Sequence, residues 1–159
     1  MNMLAAIGST GYNVLLVLHL LAMAVWFGAN VAIGVTHGRA VGASNEIIGW
    51  LAGVQRMVSM RIKSAAFLVL FVTGMGLVGM SKEIFKMSDP FVSVGFFAII
   101  LGGALGGMVY APGSRAVEAA AKDGDAAAIK RHNDKMGLIG MVESLVVVIT
   151  VLFMVFKWG

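Results

Sequence analysis

The chain has 159 residues, of which 59% are hydrophobic and 13% are charged, with a net charge of +4 and no cysteine. Soluble domains are about 45–50% apolar and about 25% charged, so this composition excludes an ordinary soluble domain and indicates a membrane protein. The absence of cysteine excludes disulfides, cysteine-bound iron–sulfur clusters and c-type haem attachment. The small positive charge indicates contact with anionic lipid and not with nucleic acid.

Four long apolar runs predict four transmembrane helices, at about residues 12–35, 64–80, 91–111 and 137–156. A helix needs about 17–25 residues to cross the hydrocarbon core of a bilayer. Helices are favoured because lipid offers no partner to open backbone groups, and four spans are too few for a barrel. The predicted fold is therefore an all-α integral membrane four-helix bundle, with residues 1–159 forming a single transmembrane domain.

Residues 45–60, between the first two spans, have the pattern of an amphipathic helix. Ile47, Leu51, Val54 and Val58 share one face, and polar side chains lie off it. The pattern predicts a short interfacial helix before the second span, or an extension of that span.

Helix-terminating signals surround the third span. Ser88 or Asp89 is a candidate N-cap, with Pro90 in the first turn. After the span, Gly124 is expected to end a short alanine-rich helix and Asp125 to cap the next helix, which can run directly into the fourth span.

The third span also contains two overlapping G-x-x-x-G pairs, Gly102 with Gly106 and Gly103 with Gly107. Small residues at this spacing let helix backbones approach closely. We expect them to pack within the bundle. A homo-oligomer face and room for a flat cofactor are the alternatives.

The orientation follows from the distribution of lysine and arginine. Nine of these residues fall between spans one and two or between spans three and four: Arg39, Arg56, Arg61, Lys63, Arg115, Lys122, Lys130, Arg131 and Lys135. The other side has only Lys82, Lys86 and Lys157. The positive-inside rule therefore places both termini in the periplasm of a bacterium, with the chain crossing the inner membrane several times.

Polar residues inside a span are costly and are functional candidates by default. In the first span, His19, Met23, Trp26 and Asn30 lie on one helical face. A neutral His19 imidazole can bind haem iron, copper or another metal through one ring nitrogen. The alternative is a buried histidine hydrogen-bonded to a neighbouring helix.

In the fourth span, Glu143 lies nearer the opposite membrane face, so a direct pair with His19 is not expected. Asn30, Arg61 and Lys63 are the expected partners, since all belong to the same leaflet. Glu143 is predicted to form a structural ion pair with one of them or to serve in a proton relay, because an unpaired carboxylate in lipid would be neutralised.

The segment from Leu18 to Gly28, LHLLAMAVWFG, resembles the first helix of a superfamily of small bacterial membrane proteins that includes CopD-like copper-resistance proteins and HemJ-type protoporphyrinogen oxidases. The stretch from Pro112 to Arg115 and the last helix, which ends in FKWG, are similar to those of four-helix CopD-like proteins. The resemblance implies the same four-helix fold and a haem b ligand at His19. HemJ-type proteins also depend on a lysine at the start of a later helix, whereas the start of the third span here carries none.

Three functional hypotheses follow. The first is a haem b protein with a redox or electron-transfer role, in which His19, Met23, Trp26 and Asn30 form the cofactor site. The second is copper transport or resistance, since 12 methionines supply soft ligands, although none of the four predicted spans contains an M-x-x-M or M-x-x-x-M cluster and core packing also explains them. The third is a non-catalytic subunit of a larger membrane complex.

Overall fold

A computed structural model describes residues 7–81 and 84–157 of the chain. Lys82, one of the three lysines on the less basic side of the membrane, lies outside these ranges. Four long helices, each apolar enough to cross a membrane, make up almost all of the described chain. They are α1 (Thr10–Arg39), α2 (Asn45–Met80), α3 (Pro90–Asp123) and α4 (Ala126–Phe156). The predicted all-α four-helix membrane bundle is confirmed, and the protein is a multi-pass membrane protein.

The helices are longer than the spans predicted from hydropathy. They contain 30 to 36 residues, or roughly 45–54 Å at about 1.5 Å per residue, whereas the hydrocarbon core is about 30 Å thick. Their extra turns project where α2 begins, α3 ends and α4 begins. We call this the basic end, because it carries eight of the nine lysine and arginine residues assigned to loops. The ninth, Lys63, is buried inside the bundle.

The connection between α3 and α4 at the basic end is a short pair of helix caps and not a long loop. Gly124 adopts a left-handed conformation, with φ of 71°, that ends α3. The Asp125 carboxylate accepts a 2.9 Å hydrogen bond from the backbone N–H of Ala128 and so caps α4. Asp89 precedes Pro90 at the start of α3. The predicted helix ends are confirmed, and α3 and α4 join through two residues.

The amphipathic segment forms the first part of α2, so it extends the second span and is not a separate helix. Residues Asn45–Met57 continue through a π-helical segment, Val58–Lys63, into the span itself. Its predicted apolar face is partly wrong, because Ile47 is 50% exposed whereas Gln55 is only 3% exposed. A second π-helical segment, Gly106–Tyr110, interrupts α3. Single π turns inside α-helices are frequent at functional sites.

Two apolar clusters hold the bundle together. The membrane-level cluster comprises Ala22, Trp26, Ala66, Phe67, Leu70, Ala98 and Val147. The basic-end cluster comprises Ala52, Tyr110, Val117, Ala120, Ala121, Ile129 and Met136. Most other large apolar side chains are exposed on the outer surface, as expected of helices that face lipid.

The glycines of α3 divide between the two faces of that helix. A Cβ added at Gly102 would lie 2.7 Å from a Phe67 ring atom and 2.9 Å from a Trp26 ring atom, and one at Gly106 would lie 3.7 Å from the Ser59 carbonyl oxygen. This pair therefore packs inside the bundle. A Cβ at Gly103 or Gly107 would meet nothing within 4 Å, so that pair faces outward.

Gly102→Ala is expected to lower the free energy of unfolding by about 1–3 kcal/mol, the usual cost of overpacking a core. The matched control is Gly103→Ala, which makes the same change one residue away in open space. Both gain the same helix propensity, so their difference isolates the contact with Trp26 and Phe67. Thermal unfolding in detergent measures it, and equal midpoints for the two variants would contradict the assignment.

Candidate functional site

The most buried charged groups are Lys63 of α2 and Glu143 of α4. Lys63 is 1% exposed and Glu143 is fully buried. The Lys63 ammonium lies 2.6 Å from Oε1 and 2.9 Å from Oε2 of the carboxylate. Two charges taken out of water are tolerated only when their geometry is good and their remaining hydrogen-bonding capacity is satisfied, and both conditions hold here.

Three further hydrogen bonds reach this pair. Glu143 Oε1 also accepts a 2.7 Å hydrogen bond from Trp26 Nε1, and Oε2 accepts one of 2.7 Å from the Tyr110 hydroxyl. Lys63 also donates to Asn30 Oδ1 at 2.9 Å. The ammonium also lies 4.7 Å from the centre of the Tyr110 ring. Hydrogen-bond donors therefore reach both carboxylate oxygens, and the five side chains form one buried network.

All four helices contribute to this network. Trp26 and Asn30 are one turn apart on α1 and share a face. Lys63 ends the π-helical segment of α2, and Tyr110 ends that of α3. A π turn inserts one residue into the helix, so it shifts the side chains that follow onto a new face. Both shifted residues contact Glu143.

Sequence reasoning placed Glu143, Lys63 and Asn30 in one leaflet, and the structure brings all three together. Arg61, the other expected partner, is exposed and lies outside the network. Tyr110 was not singled out. The sequence feature that could have identified it is a tyrosine at the end of an apolar span, because a buried tyrosine hydroxyl needs a hydrogen-bond partner.

A cavity of about 1080 Å³ opens from the basic end and stops at this network. Its walls come from the C-terminal part of α1, the first part of α2 and the first half of α4, with Lys63 and Tyr110 at the closed end. Five buried polar atoms on its lining residues have no hydrogen-bond partner: Asn30 Nδ2, His37 Nε2, Gln55 Oε1, Ser59 Oγ and Asn133 Oδ1. Native proteins leave few such atoms unpaired, so their convergence marks a place for water or a ligand.

Gln55, Ser59 and Lys63 form a polar stripe along α2, one residue every four. They are 3%, 1% and 1% exposed. The sequence placed Gln55 and Ser59 off the apolar face of the amphipathic segment, as if they faced water. The structure instead turns them into the cavity, so the stripe leads from the basic end to the ion pair.

His19 lies in a separate polar layer. Its Nδ1 is 2.9 Å from Thr73 Oγ1, and that hydroxyl donates a 2.6 Å hydrogen bond to the Val69 carbonyl. Thr73 therefore accepts from His19, which places the proton on Nδ1 and leaves the lone pair on Nε2. His19 precedes Trp26 by seven residues, or about 10 Å along the helix. Leu70 and the rest of the membrane-level cluster pack at Trp26, below the His19 layer.

The predicted cofactor residues consequently do not form one site. Trp26 and Asn30 bind the ion pair, and Met23 packs against the membrane-level cluster. His19 contacts Thr73 through Nδ1, and metal-bound histidines usually hold their second ring nitrogen in this way. Among residues 7–81 and 84–157, no group of three or more histidine, aspartate or glutamate side chains is placed to hold a metal ion.

A scan of protein-family models, a search of curated proteins and a search of solved structures each return no match for the chain.

The two members of the buried pair should be coupled, so that removing both costs less than the sum of the two single removals. Lys63→Met and Glu143→Gln are each expected to cost about 3–5 kcal/mol of folding free energy, because each leaves an uncompensated buried group. The double variant should cost less than the sum by about 0.5–3 kcal/mol. Equilibrium unfolding in detergent mixtures measures the free energies of the wild type, the two single variants and the double variant, which together form a double-mutant cycle.

The control cycle is Arg56→Met with Glu118→Gln, an ion pair of 3.2 Å whose side chains are 37% and 25% exposed. Its coupling should be about 0–1 kcal/mol. A coupling at Lys63 and Glu143 no larger than this value would show that the network contributes nothing beyond a surface pair.

Proposed function

We propose that this membrane protein binds a small molecule in the cavity, with the Lys63–Glu143 network as the fixed, charged end of the binding site. The single observation that supports it is the convergence of five unpartnered polar atoms on one cavity that reaches the ion pair. Ligand sites are typically apolar cavities of about 300–1,000 Å³ with a few well-placed polar groups. This cavity has the same character.

The network acts as a platform and not as a proton donor in this proposal. Glu143 and Lys63 are bonded to each other and to Trp26, Asn30 and Tyr110, so a proton transfer between them would disturb bonds that the site has already made. The groups with free capacity are the neutral ones, Asn30, Gln55 and Ser59. They recognise the ligand while the pair holds α1, α2 and α4 at fixed distances.

Aqueous access is proposed from the basic end. The membrane-level cluster closes the bundle beyond the ion pair, where Trp26 and Phe67 pack edge to face at 4.8 Å between ring centres. The lysine and arginine distribution assigns the basic end to the cytoplasm and both termini to the periplasm. The ligand would therefore enter from the cytoplasm or the inner leaflet.

Cysteine labelling tests this access, and the chain has no native cysteine to interfere. Ser59→Cys places a thiol in the cavity at a hydroxyl that has no partner to lose. In sealed vesicles, an uncharged, membrane-impermeant methanethiosulfonate that carries a sugar should modify it from the cytoplasmic side only. Ser114→Cys is the matched control, because Ser114 is fully buried at the same end but does not line the cavity.

A phenylalanine introduced into the cavity should block that reaction. Gly34 and Gly137 line the cavity, and a Cβ at either would meet nothing within 4 Å, so Gly34→Phe and Gly137→Phe are the variants chosen to fill it. Gly28→Phe on α1 is the control outside the cavity. An unreactive Ser59→Cys, or labelling that ignores Gly34→Phe, would refute aqueous access to the cavity from the basic end.

Haem b binding at His19 is a second candidate function, favoured by the hydrogen bond that fixes the proton on Nδ1. If haem were bound, Nε2 of His19 would hold it and Thr73 would orient the imidazole ring through Nδ1. The haem would supply one-electron redox chemistry.

Oxidised and reduced absorption spectra of the purified protein decide this second candidate. A Soret band that disappears in His19→Ala and persists in His37→Ala is expected. Thr73→Val should weaken haem affinity by about 10–100-fold, as other losses of an outer-shell partner do. A protein without a Soret band after expression with excess haem, or a band that His19→Ala leaves intact, eliminates it.

A further inference from the structure

We infer that the cavity binds the head of an uncharged amphipathic molecule through a hydrogen-bond-accepting oxygen, while its apolar tail lies toward lipid between α1 and α4. The inference rests on the proposed function, and it names the ligand class for that same site. Three features support it: the charge balance of the walls, the direction of the Asn30 amide, and the exposed apolar rim.

Each charge on the cavity walls already has an opposite partner. Lys63 is neutralised by Glu143, and Lys130 pairs with Asp134 one turn along α4. A ligand carboxylate would approach no unpaired cation, and a ligand ammonium would approach no unpaired anion among these residues. A charged head would lose its hydration without gaining a counter-charge. The walls therefore select an uncharged head.

The Asn30 amide has a fixed direction. Its Oδ1 accepts from Lys63 at 2.9 Å, and an ammonium has no acceptor capacity, so the amide cannot be turned round without setting donor against donor. Its Nδ2 is consequently a donor that points away from Lys63, is buried and has no partner. The group that satisfies it must be an acceptor, such as a carbonyl, ester, ether or hydroxyl oxygen.

Ser59 and Gln55 extend this recognition along α2. The Ser59 hydroxyl can both donate and accept, and the Gln55 amide supplies one acceptor and two donors. Both side chains are at least 97% buried, and Ser59 Oγ and Gln55 Oε1 are unpartnered. A head with two or more oxygens can therefore be held by Asn30 and Ser59 together, next to the ion pair.

The rim of the cavity is apolar and exposed. Val41 at the end of α1 is 84% exposed, and Leu138 and Met141 of α4 are 61% and 66% exposed. In a membrane-spanning bundle, exposed apolar side chains of this kind contact lipid. A tail attached to a head inside the cavity would pass these side chains and continue into the bilayer.

Three radiolabelled amphiphiles with ten-carbon chains test the inference, using the full chain in lipid nanodiscs and empty nanodiscs as the blank. The probes are 1-decanoylglycerol, which is uncharged and rich in oxygen, decanoate and decyltrimethylammonium. We expect 1-decanoylglycerol to bind saturably at about one molecule per chain, at least tenfold more tightly than either charged probe. A tenfold difference corresponds to about 1.4 kcal/mol.

Matched variants locate the site. Ser59→Ala should weaken 1-decanoylglycerol binding by about two- to tenfold, the value of one hydrogen bond, without lowering stability, because Ser59 Oγ has no partner in the protein. Gly34→Phe and Gly137→Phe should abolish saturable binding. Ser114→Ala and Gly28→Phe should leave it unchanged.

The inference is overturned if a charged probe binds as tightly as 1-decanoylglycerol, if no probe exceeds the blank, or if Gly34→Phe leaves binding unchanged. These outcomes are distinct from failure of the proposed function. A reactive Ser59→Cys with no probe bound leaves the cavity as the site and removes this ligand class. Saturable binding with an unreactive Ser59→Cys supports entry from lipid and removes the solvent route.

Discussion

The rest of the structure depends on the contact between Lys63 and Glu143, because it forces four helices to meet at one depth. A buried ion pair is tolerated only if all its donors and acceptors are used, and here Trp26, Asn30 and Tyr110 complete it. Each of these side chains fixes the rotation of its own helix. Satisfying two charges in a low-dielectric interior thereby sets the packing of the bundle.

Two π-helical segments make this meeting possible, and they also shape the cavity. Where Val58–Lys63 and Gly106–Tyr110 interrupt their helices, Gly106 lets α3 approach the α2 backbone near Ser59. The same side of α2 carries the buried polar stripe that ends at Lys63. The π-helical segments that complete the ion pair therefore also leave buried polar side chains on the cavity wall without hydrogen-bond partners. Such an arrangement is unstable unless water or a ligand occupies the cavity.

His19 belongs to a different layer, and this separation changes how the polar residues of α1 are interpreted. His19, Trp26 and Asn30 share one helical face, as their spacing predicts, but they serve two sites about 10 Å apart along the axis. His19 pairs with Thr73, while Trp26 and Asn30 turn to the ion pair. A shared face in sequence therefore does not imply a shared site.

The sequence by itself determined the four spans, the helix ends at Gly124 and Asp125, and the inward direction of His19 and Glu143, because hydropathy, capping and helical period are local properties. Only the tertiary structure decided that Lys63 and not Arg61 pairs with Glu143, and that Tyr110 joins them. Those contacts depend on how each helix is rotated about its axis. Two π turns change which face the following side chains occupy, and the local sequence pattern does not show this change. The cavity follows from the same rotation, since it exists only between helices.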